Sequence, residues 1–98
     1  MIKVNIKKEN DVINEILIKG HALYDDYGKD IVCAAVSSIV ITTVNAIESI
    51  DDKAISYDEK VFIIKVLKQD EIINKLINNM INLLKELEHD YPNNIKFL

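Results

Sequence analysis

Seventeen consecutive residues, Ile31 to Ile47, carry no charge. That length lies near the lower bound for spanning a bilayer, so the segment is either a membrane helix or an element buried by the rest of the fold. Ser37, Ser38, Thr42, Thr43 and Asn45 interrupt its apolar character, and Asp30 and Glu48 stand just outside its ends. A buried core helix is therefore expected. Val36, Ile39 or Val40, Thr43 or Val44, Ile47 and Ile50 recur at spacings of three and four, a helical stripe. The β-branched density from Ile39 to Val44 favours a strand instead, but an uninterrupted strand of this length would be unusual.

Such a helix needs a surface to cover it, and the remaining sequence offers one. Ile2, Val4 and Ile6 alternate with Lys3, Asn5 and Lys7, the period of a half-buried strand. Glu9-Asn10-Asp11 supplies residues that tolerate left-handed backbone, and Val12 to Lys19 resumes an extended run, so a hairpin is expected that ends at Gly20. Tyr24 to Lys29 has no periodicity and reads as a loop, with Asp30 as the N-cap of the helix that follows. Ile55 to Tyr57 reads as a short strand before a turn at Asp58-Glu59. Val61 to Leu67, broken only by Lys65, reads as a central strand covered on both faces. A second helix is expected from about Asp70 to Asp90, stopped by Pro92, with Ile95 to Leu98 as an edge strand. The fold class is mixed α/β: one domain over residues 1–98, its sheet beginning with a β-hairpin and packed with two long helices.

Net charge is −4, from 12 basic and 16 acidic residues, a balance that runs against nucleic-acid binding and suits a basic partner. The one cysteine allows no internal disulfide, and Met1-Ile2-Lys3-Val4 lacks the apolar core of a signal peptide. A soluble, cytoplasmic protein is expected, with no nucleic-acid or membrane partner.

The chemistry-bearing residues lie together. His21 closes the second strand, and Cys33 opens the first long helix. A thiolate, not a thiol, is the nucleophile, and the first turn of a helix favours it through the macrodipole and free N–H groups. A nearby imidazole takes the thiol proton and later protonates the leaving amine, while helix N–H groups offer an oxyanion site. Against this, a lone cysteine is commonly buried and inert, and a lone histidine at a strand end is commonly a surface residue. Two histidines and one thiol, with His89 far off in sequence, lack the paired spacing of a zinc site, so no metal and no cofactor is expected.

Gly20-His21-Ala22 followed by Tyr27-Gly28-Lys29-Asp30-Ile31-Val32-Cys33-Ala34-Ala35-Val36-Ser37 resembles the signature of the ribosomal-processing cysteine proteases, the Prp family. Two blocks match at that family's spacing, and the chain is about the length of one family domain. The resemblance implies an endopeptidase that removes the N-terminal extension of a large-subunit ribosomal protein, number twenty-seven of that subunit, in support of ribosome assembly. It implies Cys33 as nucleophile, His21 as base, and a homodimer. It also implies a loop between the two residues that orders around substrate, with Tyr24, Asp25, Asp26, Tyr27 and Gly28 as its candidate contacts. Asp30 either orients His21 or caps the helix, and its position favours the cap. The alternative is a non-catalytic dimeric adaptor that binds ribosomal or assembly proteins through the acidic loop.

Overall fold

A computed structural model of the chain describes residues 1–20 and 27–98, with side chains in the first helix described from Ile31 onward. The strands are β1 (Ile2–Glu9), β2 (Val12–Lys19), β3 (Ile55–Asp58), β4 (Ile63–Val66) and β5 (Ile95–Phe97), and the helices are α1 (Tyr27–Ile50) and α2 (Glu71–Asp90). They form a mixed α/β unit with one five-stranded sheet in the order β3-β4-β2-β1-β5. Every neighbouring pair is antiparallel except β1 and β5, which run parallel.

The β1–β2 turn is as short as a hairpin allows. Asn10 and Asp11 both take positive φ, 54° and 64°, the backbone that a two-residue turn matched to strand twist demands. Lys7 pairs with Glu15 and Lys8 with Ile13, so Asn14 is an extra residue in β2. This bulge keeps Ile13 packed against the core despite the slip in register.

Both helices cover one face of the sheet. Ile2, Val4, Ile16, Ile18, Ile64 and Ile95 point into it and are buried, and they meet Val32, Val36, Val40, Val44 and Ile47 of α1 and Ile73, Ile77, Met80 and Leu84 of α2. The stretch from Ile31 to Ile50 is long and apolar enough to cross a membrane, but its inward stripe belongs to this core. Asp70 caps α2, its carboxylate accepting hydrogen bonds from the N–H groups of Ile72 and Ile73 at 2.9 and 3.1 Å. At the far edge, a Glu88 carboxylate oxygen accepts the outward Phe97 N–H at 2.7 Å, which ties β5 to the last turns of α2.

Two expectations need correction. The strand from Val61 to Leu67 is shorter, because Val61 and Phe62 belong to the turn and Phe62 takes φ 50°. It is also not covered on both faces: Ile64 is buried while Lys65 is exposed, since the helices occupy one side only. An apolar run therefore overstated its burial.

Candidate active site

Helix α1 begins at Tyr27, earlier than expected. Tyr27, Gly28 and Lys29 are thus helical and not part of a loop, and Asp30 is the fourth residue of the helix, so it is not its N-cap. Cys33 moves with them, from the first turn to the second. The macrodipole acts mainly within the first turn, and N–H groups beyond it are bonded within the helix. The helix end therefore contributes less to a thiolate here than the sequence suggested. The periodic apolar stripe that sets the helix runs only from Val32 inward, which is why its true start was illegible.

Cys33 is 8 % exposed. It lines a small cavity of about 90 Å³ together with Met1, Ile2, Gly20, Val32, Asn93 and Asn94. The wall is assembled from both ends of the chain, because Ile2 N–H donates to the Asn94 carbonyl at 2.8 Å where β1 and β5 meet. Asn93 and Asn94 thus share this cavity with Cys33. No spacing signal could have singled them out, since they lie 60 residues along the chain and reach Cys33 only through the parallel β1–β5 pairing.

Gly20 belongs to this cavity for a steric reason. Its φ is +74°, and a Cβ built on it would sit 2.3 Å from the Met1 carbonyl oxygen. Only glycine lets the chain leave β2 in that direction at that distance. On its other side, Gly20 contributes to a larger open hollow of about 580 Å³ that includes Leu17, Ile18, Val61, Phe62 and Ile63. The strained Phe62 backbone thus stands at the rim of a hollow, and its carbonyl accepts the Ile18 N–H at 3.0 Å. Such left-handed positions in bulky residues persist only where surrounding structure enforces them, commonly near functional sites.

His21, Tyr24, Asp25 and Asp26 lie outside the described residues, and so does the side chain of Asp30. The structure therefore places Cys33 and the residue before His21 around one cavity. Ser37, one helical turn beyond Cys33, is half-buried. His89 lies in the last turn of α2, exposed, with Nδ1 3.5 Å from an Asp90 carboxylate oxygen.

A family model described as cysteine protease Prp matches residues 1–96. The chain belongs to the cysteine protease Prp family. It is a cysteine protease. A relative from Mycoplasma genitalium, named ribosomal processing cysteine protease Prp, is 34 % identical over 97 % of this chain and 92 % of its own length. The crystal structure of the essential ribosomal processing protease Prp from S. aureus in complex with a substrate peptide superposes with a TM-score of 0.87 at 28 % identity, covering 100 % of this chain and 98 % of that one. The same S. aureus protease in complex with a covalently linked product peptide gives 0.82 at 29 % identity, over 99 % and 97 % of the two chains. The Prp fold thus extends over the whole chain, including the hairpin and the β5 edge that together enclose Cys33.

Proposed function

We propose that this chain is an endopeptidase that removes the N-terminal extension of a large-subunit ribosomal protein, number twenty-seven of that subunit, with Cys33 as nucleophile and His21 as general base. The observation that carries the assignment is the shared cavity: Cys33 lines it together with Gly20, to which His21 is directly bonded. The names of the relatives support the ribosomal substrate, and the covalently linked peptide in the S. aureus protease supports a covalent route.

In that route His21 takes the thiol proton, and the Cys33 sulfur attacks the scissile carbonyl carbon to give a tetrahedral oxyanion. Collapse of this intermediate breaks the C–N bond, and His21 returns the proton to the leaving amine. Water then hydrolyses the thioester, which restores the thiol and releases the carboxylate. With the helix end a turn away, the thiolate depends chiefly on the imidazole. The open hollow beside Gly20, walled by Leu17, Val61, Phe62 and Ile63, suits apolar side chains of the substrate. Tyr24, Asp25 and Asp26 remain candidates for contact with the basic ribosomal chain, and Asp30 for orienting His21.

The enzyme is proposed to act in the cytoplasm as a homodimer. The outward face of α1 supports the dimer: Ile31, Ala34, Ser38, Ile41, Thr42 and Asn45 are exposed, and none is charged. A two-fold axis would set this face against itself without opposing like charges.

The test is incubation with a peptide spanning the N-terminal extension, read by mass. Cys33→Ser should abolish cleavage with unchanged melting, and His21→Ala should lower turnover by orders of magnitude and slow alkylation of Cys33 at neutral pH. Cleavage by Cys33→Ser beyond a trace would sink the assignment. Sedimentation of Ile41→Asp against the parent tests the dimer face.

A further inference from the structure

The face of the sheet turned away from the helices carries a charge pattern that the net charge conceals. Register pairs Lys3 with Lys19 on one side and with Lys96 on the other, so three lysines stand side by side across β2, β1 and β5. All three are exposed, because their strand neighbours Ile2, Val4, Ile18 and Ile95 fill the buried face. Neighbouring strands lie about 4.8 Å apart, so the three ammonium stems rise from a span of roughly 10 Å.

Elsewhere on this face a carboxylate is interposed between the lysines. Glu15 stands between Lys7 and Lys65 and makes an ion pair with Lys7 at 3.3 Å. None of Lys3, Lys19 and Lys96 makes an ion pair among the described residues. Like charges directly opposite one another on a sheet are destabilising. A chain with a net charge of −4 has nevertheless gathered three unneutralised cations in one row.

We propose that this lysine row is a docking surface for the phosphate backbone of RNA. The choice of RNA over other polyanions rests on the ribosomal reading given above: the proposed substrate is a ribosomal protein, whose own partner is ribosomal RNA. Side-chain chemistry agrees. Every basic residue in the chain is lysine, a flexible point charge that neutralises phosphate without the bidentate geometry that reads base edges. The surface therefore holds RNA without sequence preference. The alternative of a lipid surface fits less well, because Leu17 and Ile63 beside the row are half-buried and offer little to insert.

The test uses the purified protein and a fluorescently labelled 20-nucleotide oligouridylate, with anisotropy read from about 20 to 200 mM salt. Binding is expected with a slope of log K against log salt near −2, about −0.7 for each of three phosphates neutralised. Lys3→Ala/Lys96→Ala should weaken binding at the lowest salt at least tenfold and flatten the slope to about −0.7. That variant should keep the parent's rate on a free peptide and melt no lower than the parent, since it relieves repulsion. Lys75→Ala, on α2, should leave RNA binding unchanged. Absence of binding by the parent at 20 mM salt, an unaltered slope in the double variant, or a melting loss of several degrees would each overturn the proposal. Preference for oligoglutamate or for phosphatidylserine vesicles over the RNA would overturn it too, by assigning the row to an acidic protein or a membrane. Failure of the parent to cleave the ribosomal peptide bears on the proposed substrate alone and leaves RNA binding to be read separately.

Discussion

Gly20→Ala is the substitution whose outcome the structure constrains most closely. Two separate effects add. At φ +74° an L-residue sits in the left-handed region, which costs roughly 1–2 kcal/mol. The new methyl would also lie 2.3 Å from the Met1 carbonyl oxygen and 3.3 Å from its carbon, both backbone atoms that no rotamer change can move aside. Restoring ordinary contact requires β1 and the end of β2 to part by about 1 Å, and overpacking of this kind typically costs about 1–3 kcal/mol. The sum, roughly 2–5 kcal/mol, is a large share of the 5–15 kcal/mol that holds a domain folded. For a chain of this size each kcal/mol shifts Tm by about 4–8 °C, so a fall of 10 °C or more is expected in a thermal melt. Gly20→Asn separates the contributions, because asparagine tolerates positive φ but still carries the Cβ. It should recover only part of the loss. At a temperature where the variants remain folded, peptide cleavage should drop as well, since the residue after Gly20 is the proposed base. A Gly20→Ala protein that melts within a degree or two of the parent would refute the reasoning.

Tyr57→Phe should leave stability unchanged or raise Tm by a few degrees, because the Tyr57 hydroxyl is buried without a hydrogen-bond partner. Burial, with Glu59 and Asp58 adding, holds that phenol above its ordinary value of 10.0, so the parent should lose more stability than the variant as pH rises past about 10. Asp70→Ala removes the α2 cap and should cost about 0.5–2 kcal/mol in a denaturant melt, whereas Asp70→Asn should keep most of it. The Lys68 ammonium, 2.9 Å from Asp51, holds that carboxyl below its ordinary 3.8, with the Lys53 N–H assisting. A lowered folded-state value stabilises above the unfolded value and is lost as pH falls through the folded one. Asp51→Asn should therefore melt slightly below the parent at pH 7, with the gap closing below about pH 3.8.

The elements that were legible in the sequence are those whose signals are local. Period-two alternation in β1, a turn of two residues that tolerate left-handed backbone, and a three-and-four stripe ended by Pro92 each identify an element without knowledge of its neighbours. The β5 edge was legible for the same reason. What was not legible depended on partners distant in sequence. Val61 to Leu67 reads as doubly covered because apolar content alone does not reveal which face a sheet leaves open. The start of α1 lies ahead of the apolar stripe, where polar residues carry no period. The lysine row was hidden by summation: alternation sorts charges onto faces, and a net total discards the sorting. At the cavity, Cys33 was singled out as a candidate by residue type and by the resemblance of the motif around it, whereas Asn93 and Asn94 enter only through pairing of the first strand with the last.

That pairing has a consequence for when the thiol acquires its surroundings. The walls of the Cys33 cavity include residues 1, 2, 93 and 94. A growing chain in which the hairpin and α1 have already packed still lacks one side of the enclosure. The enclosure closes only when the last strand slides in beside the first, a contact between segments more than 90 residues apart and so among the last to form. Until then Cys33 faces solvent on the side that Asn93 and Asn94 later cover. Complete shaping of the site is thereby tied to the docking of two segments from opposite ends of the sequence, and chains stalled before it hold a thiol in an unfinished enclosure.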